Sequence, residues 1–174
     1  MSDTNTSPAS TGAQRVLEML ASIVIHVAVI ALLGLVVVQG WQVFARYVIN
    51  DSPSWTEPVT LLLLSTAMSL GAAAGVHTNR HFGFFLLAEH MNPLLKRVVD
   101  ALVPLVIASI GAVIAWWGWL LWVDGLHIKA AGADLPQSVN YLPLSIGGAL
   151  MVVFALNRLV LALVPRPTAV EGDR

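Results

Sequence analysis

No cysteine occurs in the 174-residue sequence. That excludes a disulfide framework, thiol catalysis and thiolate-held clusters. Charge is scarce as well. Asp, Glu, Lys and Arg make up 11% of the chain, against about 25% in soluble domains. The formal net charge of −1 offers no basic footprint for a nucleic-acid partner. Acidic and basic groups are missing from the middle of every long apolar run. A transporter that couples ions by itself usually needs one there. There is no phosphate loop, nucleophile elbow or metal-ligand spacing either. The sequence therefore nominates no catalytic, cofactor-binding or metal-binding residue, and the expectation is a chain that is not an enzyme.

What is present is apolar, with 57% hydrophobic residues. Four stretches carry no charge: Met19 to Ala45, Pro58 to Val76, Ala101 to Val123 and Leu135 to Asn157. Each reaches the roughly 18 apolar residues that mark a membrane span. Backbone groups in hydrocarbon must be bonded internally, so these stretches are expected to be helices. The fold class is thus an all-α integral membrane protein with four transmembrane helices. Spans are expected at about residues 16–48, 55–78, 93–123 and 136–160, inside one membrane domain, 15–164. Residues 1–14 are rich in Ser, Thr, Gly and Ala and are expected to be disordered, as is the tail 165–174. The first apolar run is far longer than a signal-peptide core and no small-residue cleavage site follows it, so it reads as a retained span. From Val16 to Val48 it would be about 50 Å long at 1.5 Å per residue, enough to tilt or protrude from a ~30 Å core.

Punctuation between the spans is clear. Asn50-Asp51-Ser52-Pro53 reads as a turn, and Ser54-Trp55-Thr56-Glu57 has the spacing of a capping box at the start of span two. Pro58 is tolerable in a first helical turn. Within span two, Gly71 and Gly75 stand four apart, the spacing that lets helices approach closely. That face is expected to lie against another helix rather than lipid. Phe84, Leu87, Ala88 and Met91 share a helical stripe that leaves out Glu89 and His90. A short amphipathic helix in the membrane interface is expected there, between spans two and three. Asn92-Pro93 reads as the cap and first position of the third helix, while Pro104 and Pro143 read as lying near span ends.

Lysine and arginine counts orient the chain. One side carries Arg15, Arg80, Lys96, Arg97, Arg158, Arg166 and Arg174, and the other only Arg46 and Lys129. The N and C termini are therefore expected in the cytoplasm. All six tryptophans (41, 55, 116, 117, 119 and 122) and both tyrosines, Tyr47 and Tyr141, fall on the outer half. One reading is an aromatic belt at the headgroups. The other is an outer docking surface, because Trp116, Trp117 and Trp119 cannot all point one way at 3.6 residues per turn.

His26 is the polar exception inside span one. It reads most simply as an uncharged histidine bonded within the helix bundle. Paired with His77 at comparable depth, it could instead ligate haem, which gives the alternative function of a membrane anchor for an oxidoreductase. A small autonomous drug exporter is a further reading, but the chain lacks the intramembrane carboxylate that it would need.

Gln42-Val43-Phe44-Ala45-Arg46-Tyr47-Val48-Ile49-Asn50, followed by Ser54-Trp55-Thr56-Glu57, resembles the first outer hairpin of the DctQ-like small membrane subunits of tripartite ATP-independent periplasmic (TRAP) transporters. Leu70-Gly71-Ala72-Ala73, His81 at the inner exit, Leu135-Pro136 and Leu142-Pro143-Leu144 extend the resemblance over about residues 16–160. Pro58 stands where the family often has a second acid, and Asn79-Arg80 stands where a glycine is common. The resemblance implies a scaffold subunit in the bacterial inner membrane. Its partners would be a large multi-span membrane subunit, which carries the sodium and substrate sites, and a periplasmic substrate-binding protein. The cargo would be an organic acid such as a dicarboxylate or sialic acid. By the same resemblance, Arg46, Tyr47, Trp55 and Glu57 would shape a docking surface, and Arg80 and His81 would sit at the inner headgroups. No cofactor is implied on this chain.

Overall fold

The structure, a computed structural model, describes residues 12–51, 53–78 and 93–163. Four helices fill them: α1 (Gly12–Phe44), α2 (Thr56–Thr78), α3 (Pro93–Asp124) and α4 (Leu142–Leu163). Each belongs to a helical stretch long and apolar enough to cross a membrane. The sequence expectation for the fold class holds. The expected interfacial helix at 82–91 lies outside the described residues, as do Arg80 and His81.

Boundaries differ in instructive ways. α1 starts at Gly12, so residues 12–14 of the expected disordered segment are helical. At its other end α1 widens into a π-helical turn, Ala45–Ile49, closed by Asn50 in the left-handed region at φ 62°. Asparagine is one of the few residues that tolerates this region. The Asp51 N–H reaches back to the Ala45 carbonyl at 3.1 Å, so the widened turn leaves that acceptor satisfied. Pro93 opens α3 as expected, and Pro143 falls in the first turn of α4. Pro104, expected near a span end, lies buried inside α3 instead, because that helix runs three turns before reaching it.

The helices do not close into a bundle. They form a single row in the order α1, α2, α4, α3, with extensive packing only between neighbours in that row. Burial follows the order. The edge spans, which contain α1 and α3, are each 17% buried, whereas those of α2 and α4 are 28% and 22% buried.

Each contact has its own chemistry. α1 meets α2 through Ala21, Val24, Ala28 and Ala31, whose three- and four-residue spacing makes one stripe. Opposite them lie Leu70, Ala73, Ala74 and Val76. Phe154 and Ala155 of α4 are fully buried in the middle of the row. The α4 seat depends on two consecutive glycines. A Cβ on Gly147 would stand 2.6 Å from the Ser69 Cβ of α2, and one on Gly148 2.6 Å from the Ala115 nitrogen of α3. Along α3, Gly111 and Gly118 repeat at seven residues and continue in Gly125 just beyond the helix. Two helical turns are 7.2 residues, so the three share one side. Added Cβ atoms there would meet the Gly148 carbonyl, the Ser145 nitrogen and the Ser138 nitrogen at 3.0, 2.8 and 2.8 Å.

Hydrogen bonds stitch the same seams. The Ser69 hydroxyl lies 2.6 Å from the Ser65 carbonyl and 2.9 Å from the Pro143 carbonyl, joining α2 to α4. Ser145 donates to the Ala115 carbonyl at 3.2 Å, joining α4 to α3. At the far end, an Arg158 guanidinium N–H donates to the Val76 carbonyl at 3.2 Å, satisfying one of the acceptors that every helix C-terminus leaves open.

Gly71 and Gly75 behave otherwise than expected within the chain. Gly71 is exposed, Gly75 half-buried, and a Cβ on either would meet nothing within 4 Å. The close helix approaches are those of α4, to α3 and, at Gly147, to the Ser69 side of α2, not to the Gly71–Gly75 face.

Candidate functional site

The region best built to meet a partner is the end of the molecule that carries the α1–α2 and α3–α4 connections. The first connection descends from the π-turn. Arg46 and Tyr47 project from that turn, and Tyr47 is 79% exposed. Across the hairpin, Trp55 is 45% exposed and Glu57 is exposed in the first turn of α2. These four residues lie on the connection between α1 and α2 and its flanks. No ion pair joins Arg46 to Glu57 among the described residues.

The capping box does not form. The Ser54 hydroxyl does not turn back to its own helix; it donates to the Gly132 carbonyl, 78 residues away, at 2.9 Å. Thr56, fully buried, takes the local role by donating to the Pro53 carbonyl at 2.8 Å. Ser54 thus clasps the two connections together. The clasp is close, for a Cβ on Gly132 would stand 2.4 Å from the Ser54 carbonyl oxygen, and Gly132 has φ +86°, a conformation that strains any other residue.

The second connection is held from within. A β-bridge pairs Lys129 with Pro136, through Ala130 N–H to the Leu135 carbonyl and Gln137 N–H to the Ile128 carbonyl, both 2.8 Å. Lys129 and Asp134 form an ion pair at 3.3 Å with both side chains almost wholly exposed. Such a pair adds little stability but leaves two charges at the surface. Ser54, Lys129, Gly132 and Asp134 line a shallow cleft of about 390 Å³. This end carries the exposed acids Asp51, Glu57, Asp124 and Asp134 against the exposed bases Arg46 and Lys129, so it is acidic on balance.

Trp116, Trp117 and Trp119 are 64%, 60% and 50% exposed. Trp119 stacks obliquely on Trp122 with ring centroids 4.8 Å apart, but no element among the described residues covers the first two. His26 and His77 do not converge. His77 lies against Phe154, 5.0 Å between centroids, while His26 projects from the face of α1 opposite its packed stripe and bonds its own helix. No cluster of metal-ligating side chains exists among the described residues.

The family model described as "Tripartite ATP-independent periplasmic transporters, DctQ component" matches residues 35–164. The chain belongs to the DctQ family. The match takes in the last third of α1, the hairpin end and all of α2 to α4. A Haemophilus influenzae protein named as a TRAP transporter small permease is 23% identical over 137 residues, which cover 79% of this chain and 84% of that protein. This DctQ chain is accordingly a small, multi-pass membrane subunit of a TRAP transporter. The hairpin residues that carried the resemblance, Arg46 to Glu57, lie inside the matched stretch. Three features of the DctQ chain escaped the sequence reading: the glycine heptad of α3, the Ser54–Gly132 clasp and the Arg158 bond to α2. Only the first had a legible signal, the seven-residue repeat of glycine.

Proposed function

We propose that this subunit is a non-catalytic scaffold in a sodium-coupled, binding-protein-dependent importer of an organic acid. Its termini face the cytoplasm of a bacterial inner membrane, and its clasped hairpin end faces the periplasm. A large membrane subunit carries the solute and the sodium sites. The observation that supports this reading most is the row of four spans: its described middle holds no charged side chain and gathers no ligand cluster. Moving an organic anion through hydrocarbon needs polar or charged groups at depth. The hairpin end supplies the second half of the reading, a polar, acidic platform on which a soluble binding protein docks beside Arg46, Tyr47, Trp55 and Glu57.

Affinity purification in mild detergent should recover a larger multi-span protein with this chain. Solute uptake should require both, and this chain reconstituted alone should transport nothing. Trp55→Ala should lower uptake several-fold at limiting binding protein while leaving the membrane complex assembled. A chain that purifies alone from cells whose uptake survives its deletion would overturn the proposal.

A further inference from the structure

Close packing and hydrogen bonds, not the hydrophobic effect, hold helices to one another inside a bilayer. By that measure the four helices are unequally tied. Three hydrogen bonds fasten α2 and its leading turn to α4 and the α3–α4 connection. Ser54 donates to the Gly132 carbonyl at the hairpin end, Ser69 to the Pro143 carbonyl along the seam, and Arg158 to the Val76 carbonyl at the far end, at 2.9, 2.9 and 3.2 Å. Gly147 and Gly148 seat α4 against Ser69 on one side and the Ala115 backbone on the other, and Ser145 bonds the Ala115 carbonyl. Helices α2, α4 and α3 are thus one cross-braced block.

α1 is tied otherwise. Over its packed length, from Ala21 to Ala45, the side-chain hydrogen bond that joins it to another described helix is the one Thr60 donates to the Gln39 carboxamide. At 3.5 Å that bond is at the limit of its kind. Gly34 keeps an ordinary distance, 3.5 Å from Leu63. The seat of α1 is made by Ala21, Val24, Ala28 and Ala31, short side chains that give van der Waals contact without interlocking backbones.

The end of α1 supplies a joint. Its regular hydrogen-bond ladder gives way to the π-helical turn Ala45–Ile49, and Asn50 leaves the helix in the left-handed region. Such widened turns interrupt a helix and are sites where it bends. Just beyond, the chain is fixed again: Ser54 is clasped to Gly132, and buried Thr56 donates to the Pro53 carbonyl. Movement of α1 against the block is therefore confined to residues 45–51, the kind of element-terminal stretch that absorbs a hinge motion. From Ala45 back to Ala21 is about 36 Å at 1.5 Å per residue, so a tilt of about 10° carries the Ala21 end by about 6 Å and hardly moves the hairpin.

We infer that α1 is an arm hinged at its π-turn, tilting against the block of α2, α4 and α3 while the clasped hairpin end stays still. The hinge is a property of the chain alone. Its use, letting one edge of the subunit follow a neighbour while the hairpin end keeps its shape, rests on the proposed assembly with a large membrane subunit. The family match begins at residue 35, so the joint lies inside the matched stretch and most of the arm outside it.

The chain has no cysteine, so spin labels attach only where one is introduced. Dipolar electron spin resonance on the full chain in lipid nanodiscs would compare three pairs of exposed positions. Met19→Cys with Thr78→Cys spans α1 and α2 away from the joint, Val43→Cys with Leu61→Cys spans them beside it, and Leu102→Cys with Val160→Cys spans α3 and α4. The first distance distribution should be about twofold wider than the other two, as expected of a locally mobile element beside a rigid one. Equal widths in all three pairs would overturn the inference. Equal widening of both α1–α2 pairs would overturn it as well, since it would mean a detaching helix rather than a hinged one. An unchanged thermal midpoint identifies labelled chains that keep the fold. None of these readings needs the large subunit: a rigid α1 would leave the proposed assembly standing, and a failed co-purification would leave the hinge standing.

Discussion

The two outer contacts of the row, α3 against α4 and α1 against α2, are made of different material. The α3–α4 seam brings backbones together, with glycines at 111, 118 and 148 so placed that a Cβ would strike main-chain atoms at 2.6–3.0 Å. The α1–α2 contact is made by side chains, an alanine and valine stripe on leucine and alanine. Its glycine, Gly34, has only ordinary contact with Leu63 at 3.5 Å. Small residues let membrane helices gain van der Waals contact where hydrophobic driving force is absent. One half of the molecule is therefore locked by geometry and the other held by softer packing, which leaves α1 better suited to share its surface with a partner.

The contrast can be broken most severely at Gly148. Gly148→Val would place a branched side chain against the Ala115 backbone and should cost ~3 kcal/mol, near the top of the usual overpacking range. A large fall in the thermal midpoint of the purified chain would show it. Gly75→Val is the matching control, because its Cβ would meet nothing within 4 Å. The isolated chain should change by no more than ~0.5 kcal/mol. Loss of large-subunit recovery with that variant would mark the Gly71–Gly75 face as a partner contact. At the hairpin end, Gly132→Val must both adopt a left-handed conformation and clash with Ser54, for a cost of about 2 kcal/mol, read as earlier proteolysis of the α3–α4 connection. Ser54→Ala removes only the clasp hydrogen bond and should cost ~1 kcal/mol. Faster amide exchange at residues 130–134 would report it, with the helices unchanged.

Much of the architecture was legible because the bilayer imposes it. A charge-free run of apolar residues has one solution in hydrocarbon, so the four helices followed from Met19–Ala45 and its three counterparts, and Pro93 marked a helix start by its own covalent limits. Lateral order was not legible. Nothing local says that α4 lies between α2 and α3. The four-residue spacing of Gly71 and Gly75 marks a face that no described helix of the chain covers, while the glycine repeat that seats α3 has a period of seven and runs out of the helix into a connection. Ser54 misled for a related reason: Ser-x-x-Glu is a local pattern, and the partner that claimed its hydroxyl, Gly132, is distant in sequence. The hairpin residues Arg46, Tyr47, Trp55 and Glu57 were found through resemblance. Their platform was not, because it needs both connections.

The single row has a consequence in its dimensions. With about 9 Å between neighbouring axes and a hydrocarbon thickness of about 30 Å, the chain is a slab roughly 35 Å wide and one helix deep. Each broad face then offers on the order of 1,000 Å², more than the ~800 Å² that one partner contributes to a standard interface. A slab of that kind has surfaces but no interior. Among the described residues it encloses no volume through which a solute could pass; what it offers a neighbour is area.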